Sequence, residues 1–299
     1  MLNRKRYKII TLFLLYPLLA KTGYPALDIF TSSIHLSMAG AGYLHSSPVS
    51  AKNNPSSVFN KSFSASLIKY PASISAQSAG LQFPFKNGGG SVSLHNISYG
   101  TFQGYDEDAQ FTGAYSSSDT WLRTSYRRKI LLTPIYYGVS SSFYSSSYYA
   151  HKVRLVTFAL GLHIKLSQHG TVLGISAHNF GKQFEGAKVD FLPQFLLSIS
   201  KKLTHLPLTL YSDLISYSKT KKLDFFIGSD FKINKNINIR AGSSTRKVSH
   251  NTNRGLISSV LGASGIGFGY QNETIFIHYG IFMHGTTAFV QGLEIGTSI

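Results

Sequence analysis

Hydrophobic and polar positions alternate with a period of two over most of this 299-residue chain. The clearest stretch is 153–166, VRLVTFALGLHIKL. One face of it carries Val156, Phe158, Leu160, Leu162, Ile164 and Leu166, and the other carries Thr157, Ala159, Gly161, His163 and Lys165. Because successive side chains on a β-strand point to opposite sides, this pattern predicts a strand and not a helix. The same alternation recurs at 224–233 and 275–281.

About fourteen segments of this kind are predicted as strands. They are 62–70, 76–85, 88–98, 119–128, 134–145, 153–167, 170–180, 193–203, 206–217, 221–233, 236–244, 256–271, 273–283 and 286–297. Strands in soluble proteins average about 5–6 residues, whereas strands that cross a bilayer need roughly 9–11. Most of these segments reach the greater length, which favours membrane-spanning strands.

The connections between the strands alternate in length. Tight turns are predicted at 86–90, 167–170, 204–207, 234–236 and 271–273, and longer links at 99–118, 181–192 and 244–255. Short turns on one side and longer loops on the other are typical of outer-membrane barrels. A soluble β-sandwich is the alternative, because the signal of each barrel strand is weak.

Backbone exposed to lipid must be fully hydrogen-bonded, so the membrane interpretation requires that the sheet closes into a barrel. We therefore predict an all-β, transmembrane antiparallel β-barrel of about 14 strands over residues 61–299.

The first 23 residues are predicted as a signal peptide. Arg4, Lys5, Arg6 and Lys8 precede an apolar run over 9–20 that is too short to span a bilayer as a helix. A basic start followed by such a run is typical of secretory signals, and the alternative is an amphipathic or core helix. Export and a barrel together predict a location in the outer membrane, with outer-membrane lipid around the strands.

Residues 24–60 are predicted to form an N-terminal plug. Fourteen strands enclose a lumen wider than the side chains of the wall can fill, so another element must fill it or leave it open. Gly40 and Gly42 allow close backbone approach, and Asn54-Pro55 favours a turn. The alternative is a disordered periplasmic leader.

The net charge of the chain favours some classes of binding partner over others. The formal net charge is +17, and removal of 1–23 leaves 24 basic against 12 acidic residues, or about +12. Lys and Arg are scattered singly through strands and turns, which argues against nucleic acid as a partner and favours anionic lipid head groups or an acidic glycan.

Aromatic residues bracket one predicted strand and are interpreted as part of an interfacial aromatic girdle. They are Tyr136, Tyr137, Phe143, Tyr144, Tyr148 and Tyr149.

No residue pattern points to an enzyme, a cofactor or a metal. Gly40-Ala41-Gly42 begins like a dinucleotide fingerprint, but its third position is His45 and no strand–helix context surrounds it. The eleven histidines lack ligand spacing. Asp106-Glu107-Asp108 lacks the spaced ladder of a calcium loop. The chain has no cysteine, so thiolate chemistry and disulfides are excluded.

The block SMAGAGYLHSSPVSAKNNPSSV at 37–58 resembles the opening of the PorV/PorQ family of FadL-like outer-membrane barrels. Gly40, Ala41, Gly42, Ala51, Asn54 and Pro55 match its Gly-rich stretch, Ala-rich run and Asn-Pro. The family's acidic residues before Asn-Pro are replaced by Ser46, Ser47 and Pro48, and its following alanine by Ser56. The stretches 95–119, 174–184 and 196–210 are similar to later parts of the PorQ-type members, to which the resemblance is closest.

This resemblance implies a fourteen-stranded barrel with an N-terminal plug, and a component of a type IX-like protein secretion system. Its implied partners are other secretion-system proteins or exported cargo. The alternatives are a FadL-like transporter of small hydrophobic compounds, which requires an apolar pocket within the barrel, and a surface adhesin.

Overall fold

A computed structural model describes residues 25–57, 60–106, 108–148, 151–166, 170–218, 223–246, 263–284 and 288–299. The predicted signal peptide, residues 1–23, lies outside the described residues.

The described residues form one closed antiparallel barrel of fourteen strands. The strands are β1 Ser62–Lys69, β2 Ser75–Phe85, β3 Gly88–Tyr105, β4 Phe111–Lys129, β5 Ile135–Tyr148, β6 His151–Leu166, β7 Thr171–Glu185, β8 Gln194–Lys202, β9 Leu208–Tyr217, β10 Leu223–Lys232, β11 Ile237–Ser244, β12 Ser264–Gln271, β13 Ile275–His284 and β14 Ala288–Ser298. Each strand pairs with its neighbours in sequence, and β1 closes on β14 with Phe63 opposite Thr297. The predicted all-β barrel of about 14 strands is confirmed. Closure leaves no free sheet edge, as a membrane-spanning sheet requires.

The two ends of the barrel differ in their connections. One end of the barrel holds the start of β1 and the end of β14. The longest turns at this end join β4 to β5 and β8 to β9, and each has five residues. We call this the short-turn end. At the opposite end, the long-loop end, residues 186–193 join β7 to β8 and 245–263 join β11 to β12. Residues 247–262 of that link lie outside the described residues, as does the predicted strand start at 256.

The predicted link 99–118 is wrong. It is strand up to Tyr105 and again from Phe111, and between them the Asp106 N–H donates to the Gln110 carbonyl at 3.0 Å. Aromatic side chains pair across the extended hairpin, with ring centroids 5.5 Å apart for Phe102 and Tyr115. Breaks of register next to Ser98 and Gly104 interrupt the alternation, which is why the sequence pattern fades there.

The barrel exterior is apolar and the interior is largely polar along the middle of the strands. On β6 the alternation agrees with the predicted faces: Leu160 is 57% exposed, whereas His163 is 1% exposed. The outward face of β10 likewise exposes Phe225, Ile227 and Phe231. Such an apolar belt is the surface that a lipid bilayer covers. Among the described residues, no helix is both long and apolar enough to cross a membrane.

The predicted aromatic girdle on β5 is correct only for one face. Phe143 and Tyr137 point outward and are exposed. Tyr144 is buried against Trp121, with ring centroids 5.2 Å apart, and Tyr136 stacks on His163 at 4.7 Å. Since the strand alternates, Tyr136 and Tyr144 belong to the interior, and Tyr149 lies outside the described residues.

Residues 25–57 contain a 3₁₀ turn at Pro25–Leu27 and one short helix, α1, Ser33–Ser37. Ser32 caps α1, because its hydroxyl accepts a hydrogen bond from the Ile34 backbone N–H at 3.2 Å. Every residue of α1 is buried, and α1 packs on β11 to β14 and β1. The segment therefore lies against the inner face of the barrel wall.

Candidate functional site

Glycines on the inner face of the wall leave the space that residues 25–57 occupy. A Cβ added to any of these glycines would overlap an atom of the segment. They are Gly80, Gly138, Gly161, Gly174, Gly228, Gly242, Gly265, Gly267, Gly280 and Gly292. At Gly80, Gly138 and Gly242 the overlap would be with the backbone of Pro48, Pro55 and Met38, respectively. Glycine in a strand interior often marks such a close backbone approach.

These wall glycines are the site residues that the sequence analysis missed. Each falls at an inward position of an alternating strand, where polar residues are common in this chain. Glycine weakens a strand, so its repeated presence at inward positions was the available signal.

Gly40 and Gly42 both adopt left-handed backbone conformations, with φ of +95° and +96°. A Cβ on Gly40 would lie 3.1 Å from the Phe226 ring of the wall, whereas one on Gly42 would lie 2.6 Å from Met38 within the segment. The Gly42 N–H also donates to the Asp213 carboxylate of β9 at 2.7 Å. Gly40 thus approaches the wall, whereas Gly42 shapes the segment and also bonds to the wall through its N–H.

Asn54 and Pro55 lie against β5, β6 and β7. The Asn54 amide donates to the carbonyl oxygens of Leu162 and Ile175 at 3.3 and 3.2 Å. The Ser57 N–H donates to the Asn54 carbonyl at 2.9 Å, which closes a turn with Pro55 in its second position. The turn therefore places one segment amide between two wall strands.

Arg123 of β4 holds the stretch before this turn. Its guanidinium donates to the backbone carbonyls of Ala51 and of Asn53, the latter at 3.2 Å, and the side chain is buried. Hydrogen bonds from a charged donor are among the stronger ones in proteins. The wall therefore contacts the segment through a buried charge as well as through close packing.

A cluster of five side chains joins the start of the segment to the long-loop end; we call it the Asp28 cluster. Asp28 accepts from Lys52 Nζ at 2.8 Å and pairs with Arg246 Nη1 at 2.7 Å. Arg246 also donates through Nε to Asp224 at 2.9 Å and contacts the Tyr217 hydroxyl. Desolvation would raise the pKa of Asp28, but the charges of Lys52 and Arg246 outweigh it and hold that pKa well below its usual range.

Among the described residues, both ring nitrogens of His35 in α1 lie at hydrogen-bond distance from atoms of the segment itself. Its Nε2 lies 3.0 Å from the Gly42 carbonyl oxygen and its Nδ1 lies 3.0 Å from the Ser50 hydroxyl. Burial, together with His45 and the cations Lys52 and Arg123, lowers the pKa of His35 to about 3. The ring is therefore neutral at physiological pH.

The interior is apolar toward the long-loop end. Buried side chains of several strands form one cluster with residues of the segment. The wall contributes Ile68, Ile97, Trp121, Tyr144, Leu155, Phe282 and Val290, and the segment contributes Ala26, Leu36 and Ala39 with Leu27, Ile29 and Phe30 packed against them. We call this the apolar cluster. A small gap beside it, next to Ala26, Leu27 and Ile29, has a volume of about 20 Å³.

A larger cavity lies at the short-turn end, between the segment and the wall. Its volume is about 310 Å³. The wall side is formed by Gln82, Tyr211, Arg240, Phe276, His278 and Glu294, and the segment side includes His45 and Ser46. We call this the short-turn cavity. Its lining is mainly polar, in contrast to the apolar cluster.

The described residues hold no group of three or more His, Cys, Asp or Glu side chains arranged for a metal ion. Asp106 instead caps the turn between β3 and β4, because its carboxylate accepts from the N–H groups of Asp108 and Gln110 at 3.1 and 2.7 Å. Glu107 lies outside the described residues.

A closed barrel with an apolar belt and a polar interior defines the class: this is a transmembrane β-barrel protein. Its fold is similar to solved outer-membrane barrels. The Ralstonia pickettii toluene transporter TbuX is 10% identical, with a TM-score of 0.59 over 90% of this chain and 97% of that one. A Pseudomonas aeruginosa FadL homologue is 12% identical, with a TM-score of 0.55 over 92% and 99%. The P. putida toluene transporter TodX is 13% identical, with a TM-score of 0.51 over 92% and 97%.

No family model and no curated protein matches the chain. At these identities the similarity shows the fold, which is that of FadL-type barrels. TbuX and TodX are toluene transporters.

Proposed function

We propose that this protein is an outer-membrane transport protein of the FadL type, in which residues 25–57 are a plug that keeps the barrel closed at rest. The observation that carries the proposal is the fit between the segment and the wall glycines around the barrel. The fold of toluene transporters supports it, because those barrels are similar over nearly the whole chain.

We further propose small hydrophobic compounds as the transported class. The apolar cluster lies toward the long-loop end, which is the outside in outer-membrane barrels. Leu27, Ile29 and Phe30 of the segment cover its wall residues. Displacement of the segment would therefore expose an apolar surface to a solute that enters from outside.

A role in a type IX-like secretion system stays a prediction from the sequence resemblance at 37–58. The barrel and the packed segment are compatible with it, but the structural similarities favour transport of small molecules. Outer-membrane lipid, secretion partners and exported cargo likewise remain proposals.

A disulfide between the segment and the wall tests the proposal. A Cβ on Gly292 would lie 3.4 Å from the Ser33 Cβ, close to the roughly 3.5–4.5 Å that a disulfide spans. Since the chain has no cysteine, Ser33→Cys with Gly292→Cys introduces the only thiols. Gram-negative cells that produce the protein should take up radiolabelled toluene faster than cells without it. Oxidation of the double variant should abolish this gain, and dithiothreitol should restore it.

Each single-cysteine variant, treated with the same oxidant, is the matched control and should keep full uptake. Uptake unaffected by the cross-link would show that the segment does not move during transport. No uptake by the uncross-linked protein would contradict the transport function and favour the secretion role.

A further inference from the structure

The short-turn cavity contains hydrogen-bonding capacity that the protein does not use. Gln82 on β2 is 1% exposed, and its side-chain oxygen accepts from the Ser46 hydroxyl at 2.9 Å. Its Nε2 is buried and has no hydrogen-bond partner among the described residues. Nδ1 of His45, on the segment side of the same cavity, is also buried and without a partner there. Buried polar atoms in proteins are nearly always paired. The Gln82 amide donates, and the His45 ring nitrogen donates or accepts according to its tautomer, so these two atoms point to a bound molecule that carries hydroxyl groups.

The charged groups of the cavity are already paired within the protein. Arg240 Nε donates to Asp230 at 2.9 Å, and its Nη1 lies 3.2 Å from His278 Nδ1. The fully buried Glu294 accepts from the hydroxyls of Ser32 and Ser47 at 2.7 and 3.1 Å. An anionic molecule would find Arg240 already neutralised by Asp230. A cation would compete with hydroxyl donors that already occupy both Glu294 oxygens. The pairing therefore favours a neutral molecule.

The volume and the lining of the short-turn cavity further limit the class of molecule that fits it. The volume of about 310 Å³ lies at the lower limit of small-molecule sites, which range over about 300–1,000 Å³. Tyr211 and Phe276 contribute aromatic rings to the wall, beside amide and hydroxyl groups. These aromatic side chains can stack on the apolar C–H faces of a ligand ring, and the amide and hydroxyl groups beside them can hydrogen-bond to hydroxyl groups that the ring carries.

We propose that the short-turn cavity is a binding site for a neutral polyhydroxylated molecule of the size of a monosaccharide. This site is separate from the apolar cluster at the other end, and the inference does not depend on the transport of hydrophobic compounds. Gln82 Nε2 and His45 Nδ1 bind oxygen atoms of the ligand, and Tyr211 and Phe276 contact its ring.

Equilibrium binding to the purified full chain in lipid nanodiscs tests the site. The probes are D-glucose, its anionic analogue D-glucuronate, its cationic analogue D-glucosamine, and toluene, each followed by saturation-transfer NMR. Glucose should bind more tightly than either charged analogue, and toluene should not displace it. Gln82→Met keeps the length of the side chain but removes the donor, so it should weaken glucose binding by roughly 3- to 10-fold. Gln194→Met is the matched control on the inner face of β8, outside the cavity, and should bind glucose normally.

His45→Phe provides a second variant with the ring retained, and its weaker binding of glucose would support the site even if Gln82→Met did not fold. The inference is overturned if no sugar binds at tens of millimolar, since water then suffices for the unpaired atoms. Tighter binding of glucuronate or glucosamine, displacement of glucose by toluene, or equal effects of Gln82→Met and Gln194→Met would overturn it too. Loss of toluene uptake in cells with glucose binding intact would contradict only the transport proposal.

Discussion

Arg246, just after β11, pairs with Asp28 near the start of the segment, 218 residues earlier, with Nη1 and Oδ2 2.7 Å apart. Lys52 pairs with the same carboxylate. The segment is therefore joined to the long-loop end by a carboxylate between two cations.

Reversal of this pair tests its contribution. Asp28→Arg should place three cations together and raise the frequency of open events in planar bilayers several-fold. The double variant Asp28→Arg with Arg246→Asp should restore part of the closure. Asp28 is 47% exposed, and exposed pairs contribute only about 0–1 kcal/mol each, so the effect should shrink in high salt. A double variant as open as the single one would show that the pairing with Arg246 is immaterial.

The low pKa of Asp28 predicts how this cluster responds to acid. A carboxylate with a lowered pKa stabilises the folded state above its ordinary pKa, about 3.9, and the stabilisation is lost as pH falls through the lowered value. The contribution of the Asp28 cluster to the stability of the folded state should therefore not change between pH 5 and 8.

His35 predicts a different pH dependence. Its pKa is lowered to about 3 from an ordinary value of about 6.5. The packed segment thus favours the neutral ring, and this stabilisation is full above pH about 6.5 and declines as pH falls toward 3. Conductance in planar bilayers should rise from pH 7 to pH 4. His35→Gln, which keeps a donor for the Gly42 carbonyl, should flatten this rise, and an unchanged profile in that variant would assign it to other groups.

Substitution of the wall glycines should loosen the segment without opening the barrel. Gly242→Ala places a Cβ against the backbone of Met38, which cannot move aside easily. We expect a cost of roughly 1–3 kcal/mol, typical of overpacking. Faster protease cleavage within 25–57, with unchanged heat resistance of the barrel on gels, would measure it.

Gly292→Ala is the matched control for that substitution. Its Cβ would lie 2.9 Å from Cδ2 of Leu36, the end of a flexible side chain. Cleavage should then increase less than in Gly242→Ala. Equal cleavage rates in the two variants would contradict the backbone contact at Gly242.

The free-energy cost of a charge on the outward face of β6 should depend on the depth of that position in the bilayer. Leu160→Arg, near the middle of the strand, should cost about 2–4 kcal/mol, as for Arg at the bilayer midplane. Leu166→Arg lies on the same face at the end of the strand and should cost about 0–1 kcal/mol. Urea unfolding in lipid vesicles measures both, and equal losses would contradict the membrane position of β6.

The sequence alone predicts the strands well because a period of two reports one apolar and one polar face directly. All fourteen strands were predicted, with the largest error at β3 and β4, where bulges near Ser98 and Gly104 break the alternation. The period also predicts that His163 faces inward. It cannot show that Ser56 and Tyr136 contact that ring, because the first contact depends on where residues 25–57 lie and the second on the register of β5 with β6.

The candidate site was predictable only in outline. The flexibility of Gly40 and Gly42 suggested a segment that packs closely against other backbone. The pairing of Asp28 with Arg246 and the unpaired amide nitrogen of Gln82 could not be foreseen, since each depends on residues brought together by closure of the barrel.

The packing of α1 on β11 to β14 sets an order of assembly. α1 precedes every strand in the chain, yet its main contacts belong to the last four strands that are synthesised. Until those strands insert, α1 lacks the surface on which it packs, and its apolar side chains need another cover. Contacts between distant parts of a sequence form slowly. The final step of biogenesis is therefore expected to combine the pairing of β1 with β14 and enclosure of the segment, so that a truncated C-terminus would leave the protein both open and unfilled.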